Sequence, residues 1–221
     1  MLPKVIVYNS VSIDGAIKDF DVDIALHYEL LGRLNADALL AGSNTAKTGI
    51  EMFMKTVPPE ESSDFVKPDV SEDDERLLWV IPDSKGILKG LLHVHRKSGY
   101  AKDIIVLVSK TTPKTYIEYL EQRNYDYIVA GKRQVDLRLA LEELNKRFGV
   151  KTVVTDSGGV LASALLDAGL VDEVHLLFAG HIVGQKSVNL FRTLNQSVKL
   201  KLQKAEILRG DHVLLAYKVI K

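Results

Sequence analysis

The chain has 221 residues, of which 46% are hydrophobic and 26% charged, as expected of a soluble globular protein with a sizeable core. Its formal net charge is zero, so charge gives no reason to expect a nucleic-acid partner. It contains no cysteine, which excludes a disulfide framework, a zinc–thiolate site and thiol catalysis. No apolar run approaches the ~20 residues of a membrane span, and the amino terminus enters a predicted strand directly. We therefore expect a cytoplasmic protein with neither a signal peptide nor a membrane partner.

The chain opens with a predicted strand and a polar turn. Residues 5–9 are almost wholly apolar, which is typical of a central strand covered on both faces. The polar segment 10–17 follows, with a turn signal at Asp14-Gly15, and open α/β sheets bind ligands at such strand ends. A helix is predicted over 23–35, followed by a strand over 36–41 that ends in a glycine turn with hydroxyl side chains, Gly42-Ser43-Asn44-Thr45.

Residues 51–75 interrupt this pattern. They hold nine carboxylates, two lysines and three prolines, and they predict an irregular acidic surface excursion, either a lid or a solvated loop. Regular elements then resume, and the second strand of this group ends in Ser109-Lys110 and the third at Gly131. Patterning predicts strands over 77–81, 104–109 and 127–130, a helix over 116–122 and an amphipathic helix over 136–148.

The stretch from Val150 to Gly184 gives the clearest indication of a ligand. A β-branched strand over 150–155 is followed by Gly158-Gly159, a helix over 160–168 and another strand over 173–178. Two glycines let the backbone pass close to a ligand, and the amides of a helix start favour an anion such as a phosphate. A plain tight turn is the alternative interpretation of two adjacent glycines.

The carboxyl-terminal region follows a different pattern. Residues 198–204 alternate strictly between apolar and polar, and residues 213–220 form another strand. This predicts an antiparallel pair with one solvated face, attached to an otherwise parallel sheet. The sequence has no internal repeat and no linker, so we expect one domain over 1–221.

The ordered set of motifs resembles the riboflavin-biosynthesis pyrimidine reductases, which have a dihydrofolate-reductase-like fold. The first motif of that family, an Asn followed by Ser-x-Asp-Gly, is similar to Asn9 and Ser12-Ile13-Asp14-Gly15. The later motifs follow in the family's order: Arg33, Asp37, Ala38, Gly42 and Thr45; then Asp83-Ser84-Lys85; then Gly158-Gly159-Val160-Leu161, residues 169–173 and Gly184. The resemblance implies an α/β fold with a mostly parallel mixed sheet flanked by helices and a carboxyl-terminal antiparallel pair.

The resemblance also implies an activity and a set of site residues. The expected enzyme is an NADPH-dependent homodimer that transfers a hydride to the ribose imine of a ribosylaminopyrimidine 5′-phosphate. Cofactor contacts are expected at Asp14, Gly15, Gly42, Ser43, Thr45, Ser109, Lys110, Gly131, Gly158, Gly159, Val160 and Leu161. Substrate contacts are expected at Asn9, Ser12, Arg33 and Ser157. Lys110 and Ser109 are expected beside the adenosine 2′-phosphate, which favours NADPH over NADH.

Three positions depart from the family pattern. Ser157 stands where the family has Glu before Gly-Gly, residues 47–50 replace an Asp-Asn-Pro motif, and Gly180 replaces a Pro. The alternatives are therefore a related reductase of another heterocycle and a nucleotide-binding protein without turnover. No catalytic residue is assigned. His93-Val94-His95 predicts two imidazoles on one face of a strand, but no third ligand follows, so no metal site is expected.

Overall fold

Strands and helices alternate along most of the chain, as the sequence predicts for an α/β protein. The structure is a computed structural model that describes residues 1–71, 73–185 and 187–221. Contacts between Cα atoms divide the chain into two units. Unit 1 comprises Met1–Pro3 and Asp37–Lys151, and unit 2 comprises Lys4–Ala36 and Thr152–Lys221. Unit 2 is therefore assembled from the two ends of the chain.

Unit 1 contains four parallel strands in the spatial order β5-β4-β3-β2. The strands are β2 (Ala38–Leu40), β3 (Leu77–Pro82), β4 (Ala101–Val108) and β5 (Asp126–Val129). The helices are α2 (Ser43–Phe53), α3 (Leu92–Arg96), α4 (Lys114–Gln122) and α5 (Leu137–Phe148). Because all four strands are parallel, the turns that follow them lie at one edge of this sheet. Its core is aliphatic with three buried tyrosines, Tyr116, Tyr119 and Tyr125.

The acidic segment after α2 is fixed to the rest of unit 1. It includes a 3₁₀-helix, Ser62–Phe65. The Glu60 carboxylate accepts two hydrogen bonds from Arg123, at 2.7 and 2.6 Å, and a third from the Tyr119 hydroxyl at 3.1 Å. Asn124 Nδ2 donates to the Phe65 carbonyl at 2.7 Å. The prediction of an irregular excursion over 51–75 is thus wrong at its start, where α2 extends to Phe53. Glu72 lies outside the described residues.

Unit 2 contains five strands in the spatial order β6-β1-β7-β9-β8. Strands β6 (Thr152–Thr155), β1 (Lys4–Ser12) and β7 (Glu173–Ala179) are parallel, whereas β9 (His212–Val219) is antiparallel to both β7 and β8 (Leu200–Leu208). The helices are α1 (Ile24–Gly32) and α6 (Gly159–Asp167). Strand β1 lies between two parallel neighbours and is buried along most of its length, as its apolar sequence predicts. The α/β class, the mostly parallel sheet and the terminal antiparallel pair are confirmed.

Two local predictions are wrong. The sequence His93-Val94-His95 lies in helix α3 and not in a strand. Strand β8 is not divided into a solvated face and a buried face. Seven of its nine residues are exposed, and the other two are only half-buried. Its exposed apolar residues include Leu202 and Ile207. Within the described ranges, the helices are all too short or too polar to cross a membrane.

Candidate functional site

The carboxyl ends of β1 and β6 bring Asn9 and Ser157 to matching positions in unit 2. Val7 pairs with Thr155 in this parallel ladder, so Asn9 and Ser157 follow at matching positions on the two strands. Asn9 is 6% exposed, and its Nδ2 donates to the Asp156 carbonyl at 2.9 Å. Among the described residues, Asn9 Oδ1 has no hydrogen-bond partner. A buried acceptor without a donor costs ~1–3 kcal/mol, so this atom suits a ligand N–H group.

The turn at Asp14 is held by a distant segment of unit 2. The Asp14 carboxylate accepts hydrogen bonds from Ser12 Oγ at 2.6 Å, from the Gly184 amide at 2.7 Å and from the Val183 amide at 3.2 Å. These bonds, that of Ser12 first, lower the pKa of Asp14 to about 2. Gly15 has a φ of +79°, and a Cβ there would lie 2.6 Å from Asn189 Nδ2. Both predicted cofactor residues therefore also have structural roles.

The two glycines before α6 have different surroundings. Gly158 has φ −59° and ψ 167°, and a Cβ there would meet only Ile17 Cδ1, at 3.8 Å. A Cβ at Gly159 would lie 2.2 Å from the Leu190 carbonyl oxygen. Gly159 thus lacks a side chain because its own chain packs against it, whereas the space beside Gly158 is open. The N-cap residue of α6 is Gly158, which has no side chain to cap the first turn of Gly159, Val160 and Leu161. Its amides are therefore suited to an anion.

A polar cluster beside these strand ends has no counterpart in the sequence analysis. His27 of α1 lies with Nδ1 2.8 Å from Ser10 Oγ and with Nε2 3.7 Å from Asp156 Oδ2. The Tyr8 hydroxyl donates to the His27 carbonyl at 2.9 Å. A single histidine on a predicted helix has no local pattern that reveals such partners. Only the alternation along β1, which turns Tyr8 and Ser10 to one face, hints at the cluster.

Unit 1 carries the remaining predicted cofactor residues at the ends of its parallel strands. Gly42 precedes α2, whose first turn holds Ser43 and Thr45. The turns after β4 and β5 are joined, since the Lys110 amide donates to the Gly131 carbonyl at 3.2 Å. Ser109 is 3% exposed, and its amide donates to Thr112 Oγ1 at 2.9 Å. Ser109 therefore stabilises the turn that presents Lys110.

Lys110 borders a shallow cavity of about 360 Å³ in unit 1. The cavity is also lined by Lys114, by the carboxylate-bearing Glu118 and by the apolar surfaces of Ile117 and Tyr127. Lys110 forms no ion pair with any residue that the structure describes. Its charge is available to an anion, and the apolar wall is suited to a planar ring.

Arg33, the predicted phosphate ligand, lies in a surface ion network of unit 2. Its guanidinium is 2.6 Å from Glu29 Oε1 and 3.8 Å from Glu206 Oε1. Glu29 is shared with Arg209, at 3.1 Å. A substrate phosphate would have to replace these carboxylates to bind Arg33. The structure brings Asn9, Ser157 and Gly158 together, but it gives Arg33 other partners.

The two histidines of α3 are hydrogen-bonded to backbone carbonyls. His93 Nε2 lies 2.9 Å from the Pro58 carbonyl, and His95 Nε2 lies 3.1 Å from that of Ala46. Both side chains are buried. Burial lowers the pKa of His95, which favours the neutral imidazole.

Polar turns at the carboxyl ends of parallel strands, present in each unit, are typical of α/β proteins that bind ligands at such strand ends. Residues 3–214 match the family described as the RibD C-terminal domain, and the chain belongs to that family.

Two curated relatives and one solved structure illustrate the likeness. The 2,5-diamino-6-ribosylamino-4(3H)-pyrimidinone 5′-phosphate reductase of Methanothermobacter thermautotrophicus is 30% identical over 121 residues, covering 52% of this chain and 55% of the relative. The chain thus spans about half the length of that relative. The reductase of the same name from Aquifex aeolicus is 24% identical over 226 residues, covering 99% of this chain and 97% of the relative. A pyrimidine reductase-like protein from Corynebacterium diphtheriae has a TM-score of 0.72 at 19% identity, covering 99% of this chain and 92% of that one.

Proposed function

We propose that this chain is an NADPH-dependent reductase of riboflavin biosynthesis. Its substrate would be a ribosylaminopyrimidine 5′-phosphate, whose ribose imine takes up a hydride to become a ribitylamine. The observation that supports this most strongly is the end-to-end match to the Aquifex aeolicus reductase, over 99% of this chain and 97% of the relative. Membership of the RibD C-terminal domain family over residues 3–214 supports the same reaction class.

The residues of unit 2 fit a nicotinamide nucleotide. Such a cofactor supplies the hydride, while the protein orients it and excludes water. The buried Asn9 Oδ1 can accept a hydrogen bond from a carboxamide or amine N–H group. The first amides of α6 can hold a phosphate, and the open space at Gly158 lets that phosphate approach the backbone.

The residues of unit 1 favour NADPH over NADH. Lys110 is an exposed cation at the end of β4, and Lys114 lies on the same cavity. A 2′-phosphate would form a charge-assisted hydrogen bond with such an ammonium group, whereas the 2′-hydroxyl of NADH would form a weaker one. The choice of NADPH therefore depends mainly on Lys110.

The strand ends of unit 2 carry three of the expected substrate residues, Asn9, Ser12 and Ser157. The buried hydroxyl of Ser12 donates to Asp14 and accepts from the Ala16 amide, so it has little capacity left for a ligand. Asn9 and Ser157 remain the nearest polar candidates at the strand ends. Because Ser157 stands where the family has a carboxylate, a different ring could replace the diaminopyrimidine, or turnover could be lost.

The deciding assay follows NADPH absorbance with the diaminopyrimidine ribotide and, separately, with dihydrofolate. Turnover of the ribotide supports the proposal, and turnover of dihydrofolate alone refutes it in favour of another heterocycle. A parallel titration measures NADPH affinity without a substrate. Tight NADPH binding with no turnover of either compound would identify a nucleotide-binding protein.

A further inference from the structure

His27 is a buried imidazole of unit 2 with polar groups facing both ring nitrogens. It is 9% exposed. Ser10 Oγ lies 2.8 Å from Nδ1, and Asp156 Oδ2 lies 3.7 Å from Nε2. The ring of Tyr8 lies 4.8 Å away, and that of Tyr28 meets it edge-on at 5.1 Å. Asp156, Tyr8 and Tyr28 are the titratable groups that face the ring from the described elements around it.

The two ring nitrogens have different environments. The contact of Ser10 with Nδ1 is a hydrogen bond, and it fixes the orientation of the ring. The distance from Asp156 to Nε2 is too long for a direct hydrogen bond but short enough for the carboxylate to stabilise a protonated imidazole. Because Nδ1 is engaged by Ser10, Nε2 is the ring nitrogen from which a reacting group would take a proton. Tyr8 is not suited to donate this proton, because burial, and secondarily the Asp156 charge, raises the pKa of its phenol.

This cluster lies at the strand ends that would hold the ligands. Ser10 is half-buried near the end of β1, and Asp156 directly follows β6, the parallel neighbour of β1. Asn9, next to Ser10, donates to the Asp156 carbonyl, and its Oδ1 is the buried acceptor without a partner. Gly158 follows Asp156 by two residues.

We propose that His27 donates the proton that the reduction consumes; this rests on the proposed function. The imine carbon C1′ takes a hydride from a dihydronicotinamide, which becomes oxidised. The electron pair of the C=N bond becomes the lone pair of the nitrogen, and that nitrogen takes one proton from His27 Nε2. Solvent then returns a proton to the neutral imidazole. Ser10 and Asp156 are positioning residues: Ser10 orients the imidazole ring, and Asp156 stabilises the protonated form of that ring.

The test compares His27→Gln and His27→Asn with a matched control, His175→Gln. His175 is also a partly buried imidazole of unit 2 beside a carboxylate, with Nε2 3.0 Å from Glu173. We expect kcat of both His27 variants to fall by about 10²–10⁴-fold, the usual contribution of a general acid, with unchanged NADPH affinity. Wild-type kcat should fall as pH rises and the imidazole loses its proton. That limb of the profile should disappear in the His27 variants and persist in His175→Gln.

Nuclear magnetic resonance provides a readout that does not require turnover. The His27 ring protons are titrated with pH in the wild type and in Asp156→Asn, and we expect the midpoint to move to lower pH once the carboxylate is neutral. Thermal unfolding of each variant checks the fold. The His27→Asn substitution keeps a side-chain amide close to the position of Nδ1, so Ser10 retains a hydrogen-bond partner there. A rate loss with an unaltered pH profile, or an unmoved His27 midpoint, overturns the inference alone. Absence of wild-type turnover with the ribotide refutes the proposed function and the inference together.

Discussion

The two glycines at the start of α6 are expected to respond differently to substitution by alanine: the stability of the fold should fall at Gly159 but not at Gly158. In Gly159→Ala the new methyl group would lie 2.2 Å from the Leu190 carbonyl oxygen. Real Cβ atoms essentially never lie within 3.0 Å of another heavy atom of this kind. The backbone must shift, and overpacking of this kind costs roughly 1–3 kcal/mol. For a chain of this size that lowers Tm by about 2–12 °C. In Gly158→Ala the methyl group meets only Ile17, and the φ of −59° suits any residue.

Gly158→Ala should therefore be neutral or more stable, by ~0.4–1 kcal/mol, because the unfolded chain loses freedom. The assay is thermal unfolding of the two variants and the wild type, with NADPH titration of each and of Gly158→Val. The valine side chain would reach into the space beside α6, and we expect NADPH affinity to fall at least about tenfold, or ~1.4 kcal/mol. A Gly159→Ala protein as stable as the wild type would refute the packing against Leu190. Unchanged NADPH affinity in Gly158→Val would remove the cofactor from this turn.

Three further predictions concern other parts of the chain. Lys110→Ala should weaken NADPH by about ten- to a hundredfold, from a contact of ~1.5–3 kcal/mol, and hardly change NADH; equal losses for both cofactors would contradict the assignment. Glu60→Gln should destabilise the fold by roughly 1–3 kcal/mol in denaturant unfolding, since it breaks the double hydrogen bond with Arg123. Arg123 lowers the pKa of Glu60, so the wild-type advantage should hold above the ordinary carboxyl range and vanish as pH falls through the lowered value. The exposed edge strand β8 and the family resemblance predict a two-fold homodimer, which a monomer in light scattering at micromolar concentration would exclude.

Local signals made much of the fold predictable. The glycine turn, the helix α6 and the strand β7 follow from neighbouring residues. The helix predicted over 136–148 is observed as Leu137–Phe148, with Asp136 as its N-cap and Gly149 as its C-cap. Contacts between distant segments could not be predicted in this way. Leu190 gives Gly159 its packing role, and nothing near the glycine in sequence reveals it.

One short element, α3, and one exposed element, β8, could not be predicted correctly for a different reason. Helix α3 has only five residues, and its His-Val-His alternation imitates a strand. For β8, alternation shows that two faces differ in composition but not whether anything covers the apolar one. The cluster at His27 joins α1 to Ser10 on β1 and to Asp156 after β6, so no window of sequence contains it.

The position of β1 has a consequence for synthesis of the protein. Both of its hydrogen-bonding neighbours, β6 and β7, lie in the carboxyl-terminal part of the chain. At ribosomal speeds of ~5–20 residues per second, the apolar strand waits roughly 7–30 s for β6 to be made. The strands of unit 1 emerge in the meantime and can pair among themselves. During that interval β1, which is buried along most of its length in the folded protein, has neither of its pairing neighbours, so we expect the nascent chain to need chaperone protection there.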